Sequence, residues 1–253
     1  MGNAEPLITL HVGGLALGRL VPRVAAALDA LPALFSRDSA GFHLRDAALD
    51  AAERSLVLER AAEMLRAADL VPGWRGEACV LYGHGDDELA RFERGAFRTL
   101  GLQNRAVHVN GVRADGQLWI ARRSPKKVSS PGKLDNLAAG AISAGESPRD
   151  CAIRELWEEA GVPVALAAAF ELTGSSLRSL RPTRIGYHDE IVYCADLELP
   201  LDFMPACQDG EVAEFLCLTP DEAAAALARG EFAPEAGLVL ADWLARSERP
   251  GRT

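Results

Sequence analysis

Apolar positions along the chain change their spacing several times, and each change marks an element. From Leu31 to about Leu70 the pattern predicts helix, most clearly in DAALDAAERSLVLERAAEMLRAADL, with Phe42 and Leu44 in a short extended piece. Pro72 and Gly73 stop it. After GWRGEACVLYG, the stretch DDELARFERGAFRTLG predicts a second helix that Gly101 closes. These segments form a small α+β domain over residues 1–104. From RAVHVNGVRADGQLWIARRS onward the texture shifts. Two extended runs flank Asp115-Gly116, residue types that accept the positive φ of a tight hairpin, so a second domain is placed at 105–253. RIGYHDEIVYCADLELP and GEVAEFLCLTP read as strands. Thr219-Pro220-Asp221-Glu222 opens a helix with a capping box. PEAGLVLADWLARS is an amphipathic helix with Leu238, Leu240, Ala241 and Leu244 on its apolar face. The fold class is α/β.

Composition narrows the function. A chain of 253 residues, 49% hydrophobic and 25% charged, can build one large core or two modest ones. A formal net charge of −9 leaves no basic excess to neutralise a nucleic-acid backbone, so an anionic substrate needs a locally basic pocket. Five scattered cysteines with no CxxC pair read as reduced thiols of a cytoplasmic protein. The start, MGNAEPLITLHVGGLALGRLVPR, has no basic region before its broken apolar stretch and no Ser or Thr at its sixth position. It is read as neither a signal peptide, a membrane span nor a myristoylation site. A homodimer is left open.

The densest chemistry lies in GAISAGESPRDCAIRELWEEAGV, residues 140–162. Ser147 can cap a helix, Pro148 fits its first position, Asp150 completes a capping box and Gly161 ends it. On that helix Ala152, Ile153, Leu156 and Ala160 share one side, and Arg154, Glu155, Glu158 and Glu159 the other. A solvated acidic face is the plainest reading. It leaves Glu155 and Glu159 as like charges at i,i+4, with Arg154 alone to offset them; a divalent cation would remove that repulsion and use all three carboxylates as hard oxygen ligands.

The spacing Gly140, Glu146, Arg154-Glu155-Leu156, Glu158-Glu159, Gly161-Val162 resembles the Nudix box, G-x5-E-x7-R-E-U-x-E-E-x-G-U, at every position. The resemblance implies an α/β/α sandwich with a mixed sheet and a site for Mg²⁺ or Mn²⁺, with hydrolysis of a diphosphate linked to another moiety. Carried over, Glu155, Glu158 and Glu159 are metal ligands, the Gly140 carbonyl a further one, Arg154 orients the carboxylates and Glu146 braces the loop. The general base varies in the family; Glu211 in DGEVAEF is the candidate here, with Glu214 second.

Just upstream, Arg122, Arg123, Lys126 and Lys127 form a dense basic cluster that would supply positive charge for a small-molecule diphosphate, unless it only guards a hairpin edge. Arg122, Arg123, Lys127 and Asn136 are the candidate substrate contacts. The pattern R-R-S-x-x-K-x3-P-G-x-x-x-N also resembles isopentenyl diphosphate isomerases, but DNLAAG lacks the cysteine those enzymes carry after the Asn. GWRGE, HVNGV, LWIARRS, PGKLDNLAAG, ADLELP and DGEVAEF together look like the Nudix proteins related to the N-terminal part of fungal thiamine pyrophosphokinase. That likeness implies thiamine diphosphate, or its oxidised analogues, cleaved to the monophosphate and phosphate. Ala141 departs from that group, where a second glycine is expected. The alternatives are a nucleoside diphosphate derivative (ADP-ribose, a nucleotide sugar or a dNTP) as substrate, or a non-catalytic ligand sensor. Trp74, Trp119 and Tyr187 could stack on a ring but read more readily as core, and His188, Asp189 and Glu190 read as an exposed loop triplet.

Overall fold

The computed structural model describes residues 6–247, so the reading of the first five residues lies outside it. No described helix is long and apolar enough to cross a membrane. The chain divides into two compact units. One holds the chain up to Asn104 with Ser143–Gly145 and Arg178–Glu190; the other holds Arg105–Ile142, Glu146–Leu177 and the chain from Ile191.

The first unit contains β1 (Ile8–Val12), β2 (Leu15–Leu20), α1 (Pro22–Asp29), β3 (Phe35–Asp38), β4 (Gly41–Leu44), α2 (Ala51–Ala67), β5 (Ala78–Tyr82), β6 (Glu88–Glu93) and α3 (Arg94–Leu100). Its four-stranded sheet runs β2-β1-β4-β3, with β1 and β4 parallel, and β5-β6 form a separate hairpin. Two expected helices are therefore corrected. Residues 35–44 form a β-hairpin because the Asp38 carboxylate accepts the Ala40 and Gly41 N–H groups and turns the chain. The helix read over DDELARFERGAFRTLG starts only at Arg94. Within ELARFE, Ala90 and Phe92 alternate inward while Arg91 points out, a period of two. The remaining helix, α2, opens with a reciprocal Asp50–Glu53 capping box, and Gly101 closes α3 at φ 61° as expected.

The second unit contains β7 (Gln103–Arg113), β8 (Leu118–Arg123), β9 (Leu134–Asp135), β10 (Ala138–Ala141), α4 (Pro148–Ala160), α5 (Val164–Ala167), β11 (Glu171–Pro182), β12 (Tyr187–Leu199), β13 (Val212–Leu218), α6 (Pro220–Ala228) and α7 (Pro234–Ser247), although β7 begins, and the β11–β12 hairpin ends, in the first. The sheet order is β11-β12-β7-β8-β13, with β10 paired to β7 and β9 to β8. Alternation along the strands gives each face its own helix layer. Val107, Val109, Trp119, Leu137 and Leu197 pack with Cys151, Ala152, Leu156 and Ala160 of α4. Leu118, Ile120 and Leu134 pack with Ala223 and Ala226 of α6 and Leu240 and Trp243 of α7. The unit is thus an α/β/α sandwich. The buried face of α7 is Ala236, Val239, Leu240 and Trp243; Leu238 and Ala241, read as apolar-face, are exposed because both fall on the side of the helix away from that stripe. Trp119 belongs to the core. His188-Asp189-Glu190 is no loop: it lies on β12 with His188 and Asp189 buried, and Asp189 accepts from Arg19, Arg178 and Gln103.

Candidate active site

The α4 helix forms as its sequence predicts. The Ser147 and Asp150 side chains exchange capping hydrogen bonds, Pro148 sits in the first turn, and Gly161 leaves the helix at φ 64°. With Cys151, Ala152, Leu156 and Ala160 fixed in the core, Glu155 and Glu159 fall at the border of the buried face and are themselves buried, while Glu158 stays half-exposed. Burial of two like-charged carboxylates requires compensation, and two cations supply it.

Arg154 is the first. Its Nε and Nη2 donate to the two Glu146 oxygens at 2.7 and 3.0 Å, and its Nη1 reaches Glu155 Oε1 at 2.6 Å and Glu158 Oε2 at 3.1 Å. The planar guanidinium thus ties the loop carboxylate to two helix carboxylates, a geometry an ammonium could not reproduce. The Glu146 bonds above all, and the Glu155 charge after them, hold Arg154 well above its usual pKa.

Lys127 is the second. Its Nζ donates to Glu159 Oε1 at 3.2 Å and to Glu211 Oε2, bringing a box carboxylate and the loop before β13 to one point. The other Glu159 oxygen accepts the Ala139 N–H at 2.9 Å. Burial pushes the Glu159 carboxyl up to about 8; Lys127 opposes this, and Glu155 and Asp135 add to it. Burial also works against the Lys127 ammonium, but Glu159, then Glu211, hold it above its usual value.

Gly140 completes the site by what it lacks. A Cβ there would fall 1.8 Å from Glu155 Oε1, so only glycine lets this strand lie against the carboxylate. Glu155, Glu158, Glu159 and the Gly140 carbonyl offer oxygen donors only, the donor chemistry that a hard divalent cation takes.

The remaining candidates have other partners. Arg122 pairs with Glu214 across β8 and β13 and donates to Gly132 O. Arg123 donates to Asp135 Oδ2 at 2.6 Å and twice to Ser129 O. Asn136 lies inside the sheet between His108 and Asn110. Lys126 is exposed and makes no ion pair among the described residues. Sequence reasoning passed over His108, Asn110, Asp135 and Asp196. The available signal was AVHVNGV itself, where polar residues two apart interrupt an apolar strand.

An α/β/α sandwich with an arginine-tied carboxylate helix beside a basic loop defines a class of proteins rather than a particular one. The chain belongs to the Nudix family: the NUDIX domain matches residues 102–241. A domain of unknown function, DUF4743, matches residues 2–104. Nudix hydrolase 24, chloroplastic, of Arabidopsis thaliana is 34% identical over 79% of this chain and 57% of its own length. Nudix hydrolase 20, chloroplastic, of the same plant is 35% identical over 70% of this chain and 48% of its own length. The chain therefore spans about half the length of these curated relatives. The crystal structure of DR0079 from Deinococcus radiodurans is similar at 27% identity and a TM-score of 0.53, covering 68% of this chain and all of that one.

Proposed function

We propose that the protein is a divalent-metal-dependent hydrolase of a diphosphate linkage. The observation that carries this reading is the convergence of a complete Nudix box with a lysine from the basic loop: Arg154 gathers Glu146, Glu155 and Glu158, and Lys127 gathers Glu159 and Glu211. Glu155, Glu158, Glu159 and the Gly140 carbonyl would hold Mg²⁺ or Mn²⁺. When bound, such an ion supplies charge neutralisation for diphosphate oxygens and a water of lowered pKa. Arg154 keeps two of the carboxylates aimed. Glu211 is the candidate base that takes the proton of the attacking water, and Lys127 holds it beside Glu159. Lys126 and Lys127, on the loop after β8, would supply positive charge for the substrate in a protein that is acidic as a whole.

The proposed substrate is thiamine diphosphate or an oxidised analogue, cleaved to the monophosphate and phosphate. Its support is the likeness to the thiamine pyrophosphokinase-related group, which extends into the first unit; residues 1–104 are proposed to take part in substrate choice. The five cysteines are free, in keeping with a reducing, cytoplasm-like compartment. The test is a Mg²⁺-dependent hydrolysis panel comparing thiamine diphosphate and its oxo and oxy analogues with ADP-ribose, nucleotide sugars and dNTPs by kcat/KM. Preference for a nucleotide removes the thiamine reading, and no turnover of any diphosphate removes the hydrolase. Glu158→Gln and Glu159→Gln should each lower turnover by orders of magnitude with the fold intact; full activity in both sinks the metal-ligand assignment.

A further inference from the structure

The HVNGV stretch has no part in the chemistry proposed above, yet it sits at a structural fault in the sheet. Strand β7 pairs with β10 over Ala106–Val109 and with β8 over Gly111 and Val112. Asn110 lies where the ladder changes partner, and Asn136 lies where the chain passes from β9 to β10. Strands that part leave backbone and side-chain polar groups without ladder neighbours, and such buried groups require partners.

The partners form one line. Arg246 of α7, itself bonded to Asp242, grips Asp196 of β12 at 2.6 and 3.3 Å. Asp196 Oδ1 accepts from the Asn110 amide at 3.0 Å. The Asn110 carbonyl accepts from the Asn136 amide at 2.8 Å, and the Asn136 carbonyl lies 2.8 Å from His108 Nδ1. The direction of every bond is forced. Asp196, paired with Arg246, can only accept, so each amide must donate toward it, and the last carbonyl requires a proton on His108 Nδ1. His108, Asn110 and Asn136 are all buried. The line then turns toward the site. Asp135 Oδ1 accepts the Asn136 backbone N–H at 2.9 Å and lies 3.7 Å from His108, while Asp135 Oδ2 takes Arg123, which grips Ser129 O.

We infer that His108, Asn110 and Asn136 are positioning residues. Their polarised line, anchored on Asp196 and Arg246, fixes Asp135, and through Asp135 and Arg123 it fixes residues 124–133, the loop that carries Lys127 to Glu159 and Glu211. This rests on the reading of that site as catalytic, but its tests need no turnover.

Two measurements decide it. Long-range ¹H–¹⁵N correlation of ¹⁵N-histidine-labelled full-length protein should show neutral His108 as the Nδ1–H tautomer; the Nε2–H tautomer overturns the line. Amide hydrogen exchange should show Lys127 and Gly132, whose N–H groups bond to Ser124 O and Arg123 O, exchanging at least ten-fold faster in His108→Leu and Asp135→Asn. His108→Gln, which keeps a donor for the Asn136 carbonyl, should restore protection, and α4 amides should stay protected in all three. Unchanged loop exchange in folded His108→Leu overturns the positioning role. If the leucine variant fails to fold, the wild-type tautomer and Asp135→Asn still decide, and unchanged loop exchange in the latter overturns the positioning role. A wild-type protein silent on every diphosphate, yet showing the tautomer and the loop coupling, would refute the hydrolase and leave the line standing.

Discussion

Replacing Gly140 with alanine separates the fold from the site more sharply than any carboxylate substitution. The new methyl would fall 1.8 Å from Glu155 Oε1, 2.1 Å from its Cδ and 2.6 Å from its Cγ. To restore even a tight contact of about 3 Å the carboxylate must withdraw by about 1.2 Å or swing away altogether. The three nearest atoms all belong to the Glu155 side chain, and Gly140 does not sit at positive φ, so the side chain can yield before the backbone does. The cost in stability is therefore at the low end for overpacking, about 1 kcal/mol. The cost to the site is larger. Glu155 loses its 2.6 Å bond to Arg154 Nη1 and leaves the donor set, and a displacement of about an ångström in a reacting constellation costs roughly 100-fold in rate. The assay is Mg²⁺-dependent phosphate release on the best substrate of the panel, with Mn²⁺ affinity by electron paramagnetic resonance and stability by urea unfolding. Gly145→Ala is the control. Its Cβ would meet open space, but its φ is +93°, so it should lose about 1 kcal/mol of stability and little activity. A Gly140→Ala protein that binds Mn²⁺ as the wild type does and keeps more than about a third of its kcat/KM would refute the reasoning.

Three other perturbations test different parts of the argument. Arg154→Met leaves Glu146, Glu155 and Glu158 without their common counter-ion and should cost about 2 kcal/mol in urea unfolding at low salt, below the range for a fully buried pair because Glu158 is half-exposed; a change under about 0.5 kcal/mol contradicts the arrangement. Burial alone would raise the Asp189 carboxyl, but Arg178, Gln103 and Arg19 outweigh it and hold the carboxyl below its ordinary value near 3.8. A depressed folded-state pKa contributes stability that is complete above the unfolded value and is lost as pH falls through the folded one. Asp189→Asn should therefore cost about 2 kcal/mol at pH 7, discounted for two half-exposed arginines, and the gap to wild type should close below about pH 4; a gap independent of pH refutes the ion-pair account. Leu156→Ala, at a fully buried position between the box helix and the sheet, should cost about 2–5 kcal/mol by the same measurement, and a loss below about 1 kcal/mol would contradict the core described here.

What the sequence made legible follows from how local the cause is. The box helix was readable to its caps because Ser147, Pro148, Asp150 and Gly161 act within one turn of where they stand. The Asp115-Gly116 turn was readable for the same reason. ELARFE was misread because its Ala90 and Phe92 suit either period, and the choice was made by the α2 residues it meets: Ser55 Oγ accepts the Arg91 N–H and Glu59 accepts that of Glu93. His188 and Asp189 were misread because a charged triplet looks solvated until the arginines that bury it, Arg19 and Arg178, arrive from 170 and 11 residues away. The basic cluster was visible as a segment, but its individual partners depend on pairings across β8, β9 and β13 that no local pattern encodes.

Those partners also explain how one short helix tolerates its charges. Arg123 serves the loop, Arg122 serves the β13 edge, and only Lys127 turns inward. Glu146, Glu155 and Glu158 meet at Arg154, and Glu159 and Glu211 meet at Lys127. Because Glu155 and Glu159 are buried, that pairing matters far more than the few tenths of a kcal/mol of an exposed i,i+4 repulsion. The neighbouring Arg123 is committed instead to Asp135. The box helix is thus held by one cation of its own and one from the loop before it, so the proposed diphosphate chemistry depends on the order of that loop as much as on the box itself.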